Sequence, residues 1–201
     1  MLTLRNACLR RREQTIAFPD LSLQPGEVLG LSGPSGVGKS SLASVLAGML
    51  NVEAEQLTLP KKLAGKANPV QWLIQQSEFA FNPRLSLKDS LFESWRGDGY
   101  LPLLEEYGVE RAWLARRPNQ LSGGQLQRFN LIRALVPTTE YLICDEVTAH
   151  LDMVTQSQFW QQLLASAKRR NLGLLVISHD EYLLNAICHR VVMWPHHNKL
   201  S

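Results

Sequence analysis

Gly33-Pro34-Ser35-Gly36-Val37-Gly38-Lys39-Ser40 decides how this chain is read. The stretch fits the G-x-x-x-x-G-K-[ST] phosphate loop. Val28 to Leu31, just before it, read as a short buried strand. After it, Leu42, Val45, Leu46 and Met49 follow the spacing of one helix face. The loop is therefore expected between a strand and a helix start, the context the motif requires. Glycines let successive N–H groups turn inward around a phosphate. The helix start adds unpaired N–H groups and the positive end of the helix dipole. Lys39 can reach the β- and γ-phosphates as a point charge, and the Ser40 hydroxyl suits Mg²⁺, which takes oxygen ligands. The bland alternative is a glycine-rich turn that binds nothing, and the flanking strand and helix weigh against it.

The whole chain sets bounds on the rest. Its 201 residues, 45% hydrophobic and 19% charged, suit one globular domain or one domain carrying a subdomain. A net charge of +3 is too small to argue for nucleic acid. The basic run Arg10-Arg11-Arg12 reads as a solvated turn. Cys8, Cys144 and Cys188 are scattered, with no C-x-x-C pair, so neither a disulfide framework nor a zinc site is expected. This usage fits a reducing compartment. The N-terminus has no apolar signal region, and no apolar run is long enough to span a bilayer.

Outward from the loop, residues 2–9 and 14–23 carry short apolar alternations that predict antiparallel edge strands closed by Gln24-Pro25-Gly26. Residues 51–69 read as a loop with one short strand near Leu57–Leu59. Val70 to Ile74 predict a second buried strand that empties into Gln75. From 77 to 119 only helical spacing appears (Leu87, Leu91, Trp95; Leu103, Leu104, Tyr107; Val109, Trp113, Leu114), broken by Gly97, Gly99 and Pro102. This predicts a small helical subdomain inserted in an α/β core. Leu121-Ser122-Gly123-Gly124-Gln125 then opens a second helix bearing Leu126, Phe129, Ile132 and Leu135. Tyr141 to Cys144 predict a strand running into Asp145-Glu146. Asp152 is placed to cap a helix that ends in Lys168, Arg169 and Arg170, charges suited to its C-terminal dipole. Leu174–Ile177 and Val191–Trp194 complete the strands, with a helix over 182–187 between them. Such alternation predicts a mostly parallel sheet with helices on both faces. In a parallel sheet the strand ends share one ligand crevice, so the loop, Gln75, Asp145 and His179 are expected on one edge.

In this order the elements resemble the ATP-binding cassette (ABC) ATPases: phosphate loop, Gln75, L-S-G-G-Q at 121–125, apolar-D-E at 142–146, His150-Leu151-Asp152 and His179. The resemblance runs from about Glu27 to about Asp180. It implies a P-loop NTPase (RecA-like) core over 1–76 and 120–201, with the helical subdomain at 77–119 and N-terminal antiparallel strands. It implies ATP and Mg²⁺ as ligands. Gly33, Pro34, Ser35, Gly36, Val37, Gly38, Lys39, Ser40 and Ser41 would hold the phosphates. Ser40, Gln75 and Asp145 would form the Mg²⁺ shell. Glu146 would polarise the attacking water, and His179 would contact the γ-phosphate. Ser122, Gly123, Gly124 and Gln125 would face the nucleotide of a second cassette in a head-to-tail dimer. Transmembrane permease subunits are the further partners implied, with this chain peripheral on the cytoplasmic face of the membrane and no nucleic-acid role. Asn82-Pro83-Arg84 resembles the segment found here in the peptide and nickel importer group, which implies import of a peptide, nickel or a metal chelate. In that group two different cassettes usually pair. The rival is a soluble ABC ATPase of cofactor assembly.

Three departures from the family pattern stand out. No aromatic occurs in Cys8–Arg12 to stack on adenine, and an arginine there is the substitute. Val147 replaces a proline, and Ala149-His150 stands where Ser-Ala is common. The chain stops soon after its last strand, which leaves no room for a C-terminal regulatory domain. Phe79, Phe81, Phe92 and Trp95 have two readings, a permease-docking surface or the core of a small helical unit. His189, His196 and His197 read as surface residues, and Cys144 as a core side chain.

Overall fold

The computed structural model describes residues 1–11 and 14–194. Ten strands and six α-helices lie along these residues: β1 (Leu2–Arg5), β2 (Cys8–Arg11), β3 (Gln14–Ala17), β4 (Leu21–Leu23), β5 (Val28–Ser32), α1 (Lys39–Leu46), β6 (Gln56–Thr58), β7 (Val70–Leu73), α2 (Leu87–Phe92), α3 (Leu101–Glu106), α4 (Gly123–Ala134), β8 (Tyr141–Asp145), α5 (Met153–Arg170), β9 (Gly173–Ile177), α6 (Glu181–Ile187) and β10 (Arg190–Met193). Short 3₁₀ turns at Ser77–Ala80, Arg111–Ala115 and Pro118–Gln120 fill the helical stretch between β7 and α4.

The central sheet has the order β10-β5-β9-β8-β7, and every neighbouring pair is parallel. β5, β8 and β9 are buried at every residue, as their near-continuous apolar runs dictate for a sheet covered on both faces. Two apolar clusters cover those faces. One contains Leu42, Val45, Leu46, Ile143 and Leu175 and packs under α1. The other joins Leu142, Leu174 and Val176 to α4, α5 and the helical stretch. The N-terminal strands are antiparallel as expected, but they form two units. β4-β1-β6 is one small sheet, with Thr3 opposite Thr58, and β2-β3 is a separate hairpin.

Two expectations need correction in extent. The helix after the phosphate loop stops at Leu46, and Gly48 turns the chain with φ +69°, so Met49 lies outside the helix and is 70% exposed. The last strand begins at Arg190 and ends at Met193; the Trp194 N–H still donates to the Ser32 carbonyl at 2.7 Å, and its ring packs edge-on against Phe18. His196, His197 and Arg12 lie outside the described residues. His189 is exposed, yet its Nδ1 accepts a hydrogen bond from the Val28 N–H at 2.8 Å, so it also ties α6 to the start of β5.

The four aromatics split between the two readings. Phe81 and Trp95 are core residues. The Arg133 guanidinium lies over the Phe81 ring at 4.9 Å, and the Trp95 indole donates to the Ile132 carbonyl at 2.9 Å. Phe79 and Phe92 are exposed. The basic residues that end α5 have a structural use beyond the dipole. Arg170 donates to the carbonyls of Leu135 and Val136 just past the end of α4, and Arg169 pairs with Glu106 at 2.5 Å.

Arg170→Met keeps an apolar stem but leaves the Leu135 carbonyl without this donor. The unfolding free energy in urea is expected to fall by about 1–3 kcal/mol, and a change under about 0.5 kcal/mol would mean that another group closes α4.

Candidate functional site

Because all five central strands run the same way, their carboxyl ends meet at one edge. β5 runs into Gly33, β7 leads to Gln75, β8 ends on Asp145 with Glu146 next, and β9 leads to Ser178 and His179. Ser35, Gly36, Gly38, Lys39, Ser40, Ser41, Gln75, Asp145 and Glu146 line one cleft of about 430 Å³.

The loop between β5 and α1 takes its shape from two left-handed glycines, Gly36 at φ +79° and Gly38 at φ +118°. The φ of +118° already strains any side chain at Gly38, and a Cβ there would also come 3.0 Å from the Ile16 side chain of β3. Gly38 is the N-cap residue of α1 and offers no side-chain cap. The first amides of the helix therefore remain available to an anion. Gly33, Pro34 and Val37 are not among the residues lining the cleft. The Gly33 and Pro34 carbonyls accept hydrogen bonds from Lys39 Nζ at 2.7 and 3.0 Å, and Val37 packs into the apolar cluster beneath. Lys39 is only 7% exposed. An ammonium has three donors, so the two loop carbonyls aim the lysine and leave one donor for a ligand.

Asp145 is buried at 5% exposure. Burial pushes its carboxyl pKa up, and the neighbouring Glu146 adds to the rise. The Ser40 hydroxyl, the Lys39 ammonium and the Trp72 indole pull the other way. Ser40, Gln75 and Asp145 offer a hydroxyl, an amide and a carboxylate to the same cleft. This oxygen set fits Mg²⁺, which is bound through one or two carboxylates together with substrate phosphates.

Glu146 has φ +50°, uncommon for a residue with a side chain. Its N–H donates to the Ile177 carbonyl at 3.0 Å and its carbonyl accepts from the Ala149 N–H, so the sheet and the following turn hold the strained backbone. The carboxylate is thereby aimed between the lysine and a histidine. Oε1 lies 4.0 Å from Lys39 Nζ, and Oε2 lies 3.6 Å from His179 Nδ1. The His179 side chain is 67% exposed and lines an adjoining pocket with Glu146, Thr148 and Ser178. The carboxylate thus links the phosphate cleft to the histidine.

Ser122, Gly123, Gly124 and Gln125 do not line the cleft. They form a capped helix start on another part of the chain. The Ser122 hydroxyl accepts from the Gln125 N–H at 3.3 Å, and Gln125 Oε1 accepts from the Ser122 N–H at 2.9 Å. The box locks the turn and leaves the Gly123 and Gly124 amides pointing out of an exposed helix end. His150 is exposed in the turn before α5, and Arg10 pairs with Glu53 at 3.1 Å on the surface.

Sequence reasoning passed over three residues at this site. Trp194 and Ile16 press on Gly38 from outside the motif, and Trp72 stands beside Asp145. The strand reading of Val70 to Ile74 could have flagged Trp72, a large ring with a polar atom inside a buried run.

Comparison with known proteins gives consistent relatives. The family described as ABC transporter matches residues 18–149. The nickel import ATP-binding protein NikE of Pseudomonas putida is 37% identical over 92% of this chain and 76% of its own length. A protein of Brucella abortus (strain 2308) that carries the name of a peptide import ATP-binding protein is 33% identical over 86% of this chain and 58% of its own length. Among solved structures, the dimeric structure of MJ0796, a bacterial ABC transporter cassette, superposes with a TM-score of 0.75 at 24% identity. It covers 96% of this chain and 94% of that one.

Lys39→Ala is expected to weaken ATP binding in calorimetry by about 10-fold or more, the scale of one lost charge-assisted bond. Unchanged affinity would remove the lysine from the binding of phosphate.

Proposed function

The chain belongs to the ABC transporter family, and on that premise we propose that it hydrolyses ATP at the Lys39–Glu146 cleft to drive import of nickel, a metal chelate or a short peptide. The observation that carries this reading is the joint geometry of the loop, the three oxygen donors and the strained Glu146 in one cleft. Phosphoryl transfer asks the protein mainly for positioning and charge stabilisation. The loop amides and Lys39 hold the β- and γ-phosphates. Ser40, Gln75 and Asp145 hold Mg²⁺, which neutralises phosphate charge when bound. Glu146 accepts a hydrogen bond from the attacking water and orients it in line with the γ-phosphorus. His179, next to the carboxylate, contacts a γ-phosphate oxygen.

The second anion-binding helix start supports a two-chain site. Ser122 to Gln125 stand outside the cleft of their own chain, so they can serve only a nucleotide bound elsewhere. A head-to-tail dimer, of like or unlike cassettes, brings this helix start to the γ-phosphate held by its partner's loop. Hydrolysis then removes the shared ligand and lets the pair open. The core over 1–76 and 120–201 would carry the nucleotide. The helical subdomain at 77–119 would meet the permease, with exposed Phe79 and Phe92 as anchors. No helix among the described residues is long and apolar enough to cross a membrane. A peripheral place on the cytoplasmic face, bound to permease subunits, fits that. The importer reading is favoured over a soluble assembly ATPase by Asn82-Pro83-Arg84 and by the nickel and peptide importers among the relatives.

Glu146→Gln is expected to cut ATP turnover about 100-fold or more, the usual contribution of a positioned base, and to leave an ATP-bound dimer in size-exclusion chromatography. Equal turnover by variant and wild type would remove Glu146 from the chemistry. Affinity purification from detergent-solubilised membranes is expected to recover a permease with this chain. Repeated recovery without one would favour the soluble alternative.

A further inference from the structure

Trp72 occupies the middle of β7, opposite Ile143 of β8 in the parallel ladder. Asp145 lies two residues beyond Ile143 and therefore on the same face of the sheet. That face is covered by α1. Trp72 packs against the cluster that includes Ile143, Leu42 and Val45, and α1 begins with Lys39 and Ser40. A diagonal step between neighbouring strands is within reach of an aromatic side chain. The Trp72 Nε1–H is completely buried, yet it closes a well-formed hydrogen bond to no acceptor. Native interiors rarely leave such a donor idle. The acceptor one diagonal step away on the same face is the Asp145 carboxylate, whose pKa the neighbouring indole pulls down.

We propose that Trp72 is a positioning residue for the divalent cation. In the nucleotide-loaded site its indole N–H donates to one oxygen of Asp145 and turns the other toward the metal. Ser40 lies at the start of α1 and shares the cleft with Asp145, so the carboxylate has a second donor available from the helix side. A carboxylate ligand that accepts a fixed outer hydrogen bond has less freedom to rotate away, and losing that bond commonly lowers metal affinity. Val70, Leu73 and Ile74 are aliphatic, and Gln71, on the opposite face of the strand, spends its amide on the Asn68 carbonyl at 2.6 Å, which leaves Trp72 as the donor of this run on the Asp145 face. The inference rests on reading the cleft as a Mg-nucleotide site and deepens that reading.

The test is Trp72→Phe in the intact chain, which keeps a ring and removes the N–H. ATP affinity is measured by calorimetry with Mg²⁺ and again in EDTA. The variant is expected to lose about 10-fold in affinity with Mg²⁺ and to match wild type in EDTA. Trp72→Met is a second variant should the phenyl ring not pack. In wild type, one of the five tryptophan indole N–H signals in ¹⁵N NMR is expected to move when Mg²⁺ is added to the ATP-bound chain. Equal affinities of variant and wild type in both conditions would overturn the assignment. So would an equal loss in both, which would make Trp72 a packing residue only. A wild-type chain that bound no Mg-ATP would overturn this inference together with the nucleotide-site reading beneath it.

Discussion

The parallel direction of the five central strands is the constraint on which everything else depends. Each strand is joined to its neighbour by an evenly spaced ladder, and the three inner strands β5, β9 and β8 are buried on both faces, so none of these can reverse without breaking the ladders on both of its sides. One consequence is that four strands deliver their chain ends to the same edge. The phosphate loop, Gln75, the Asp145-Glu146 pair and His179 come from four distant parts of the sequence and meet only because of this. The edge is also where the helix dipole of α1 is positive. Amides free to take an anion and carboxylates able to take a cation therefore share one cleft.

Within that edge, charge is arranged to be incomplete. Lys39 is aimed by two loop carbonyls, and Asp145 is buried deeply enough that its carboxyl is driven toward the neutral form. Glu146 sits on a strained backbone between the lysine and the histidine. Each of these is unfavourable or unfinished in the chain alone. A triphosphate with its cation would finish all of them: anionic oxygens for the lysine and the loop amides, a cation for Asp145, and a water for Glu146. The Ser122 helix start, capped by its own Gln125, stands outside the cleft of its own chain, and in the proposed pair it is the piece the partner adds.

Much of this was legible in the sequence because the motifs state backbone needs. Gly36 and Gly38 announce left-handed turns, and Ser122-x-x-Gln125 announces a capping box. Long apolar runs such as Leu142–Cys144 announce a doubly covered strand. What escaped was tertiary. Met49 follows the helix period but falls beyond the Gly48 turn, because periodicity does not say where a helix stops. Residues 2–23 alternate as strands should, yet nothing in the alternation tells one sheet from two. The four aromatics after Gln75 look alike in the sequence and divide by which of them reach α4, Trp95 at Ile132 and Phe81 at Arg133. Trp72 read as one more apolar strand residue, since only the register with Ile143 puts it on the face that carries Asp145.

The central claim is that two helix starts, one from each of two chains, enclose a single triphosphate. A crystal structure of the chain with Mg²⁺ and a non-hydrolysable ATP analogue tests it most directly. The account predicts a head-to-tail pair with the β-phosphate ringed by the amides of Gly36 to Ser40 and the γ-phosphate within hydrogen-bond distance of Ser122 of the partner subunit. A closed pair with the nucleotide outside the loop, or with that Ser122 facing solvent far from the γ-phosphate, would contradict it.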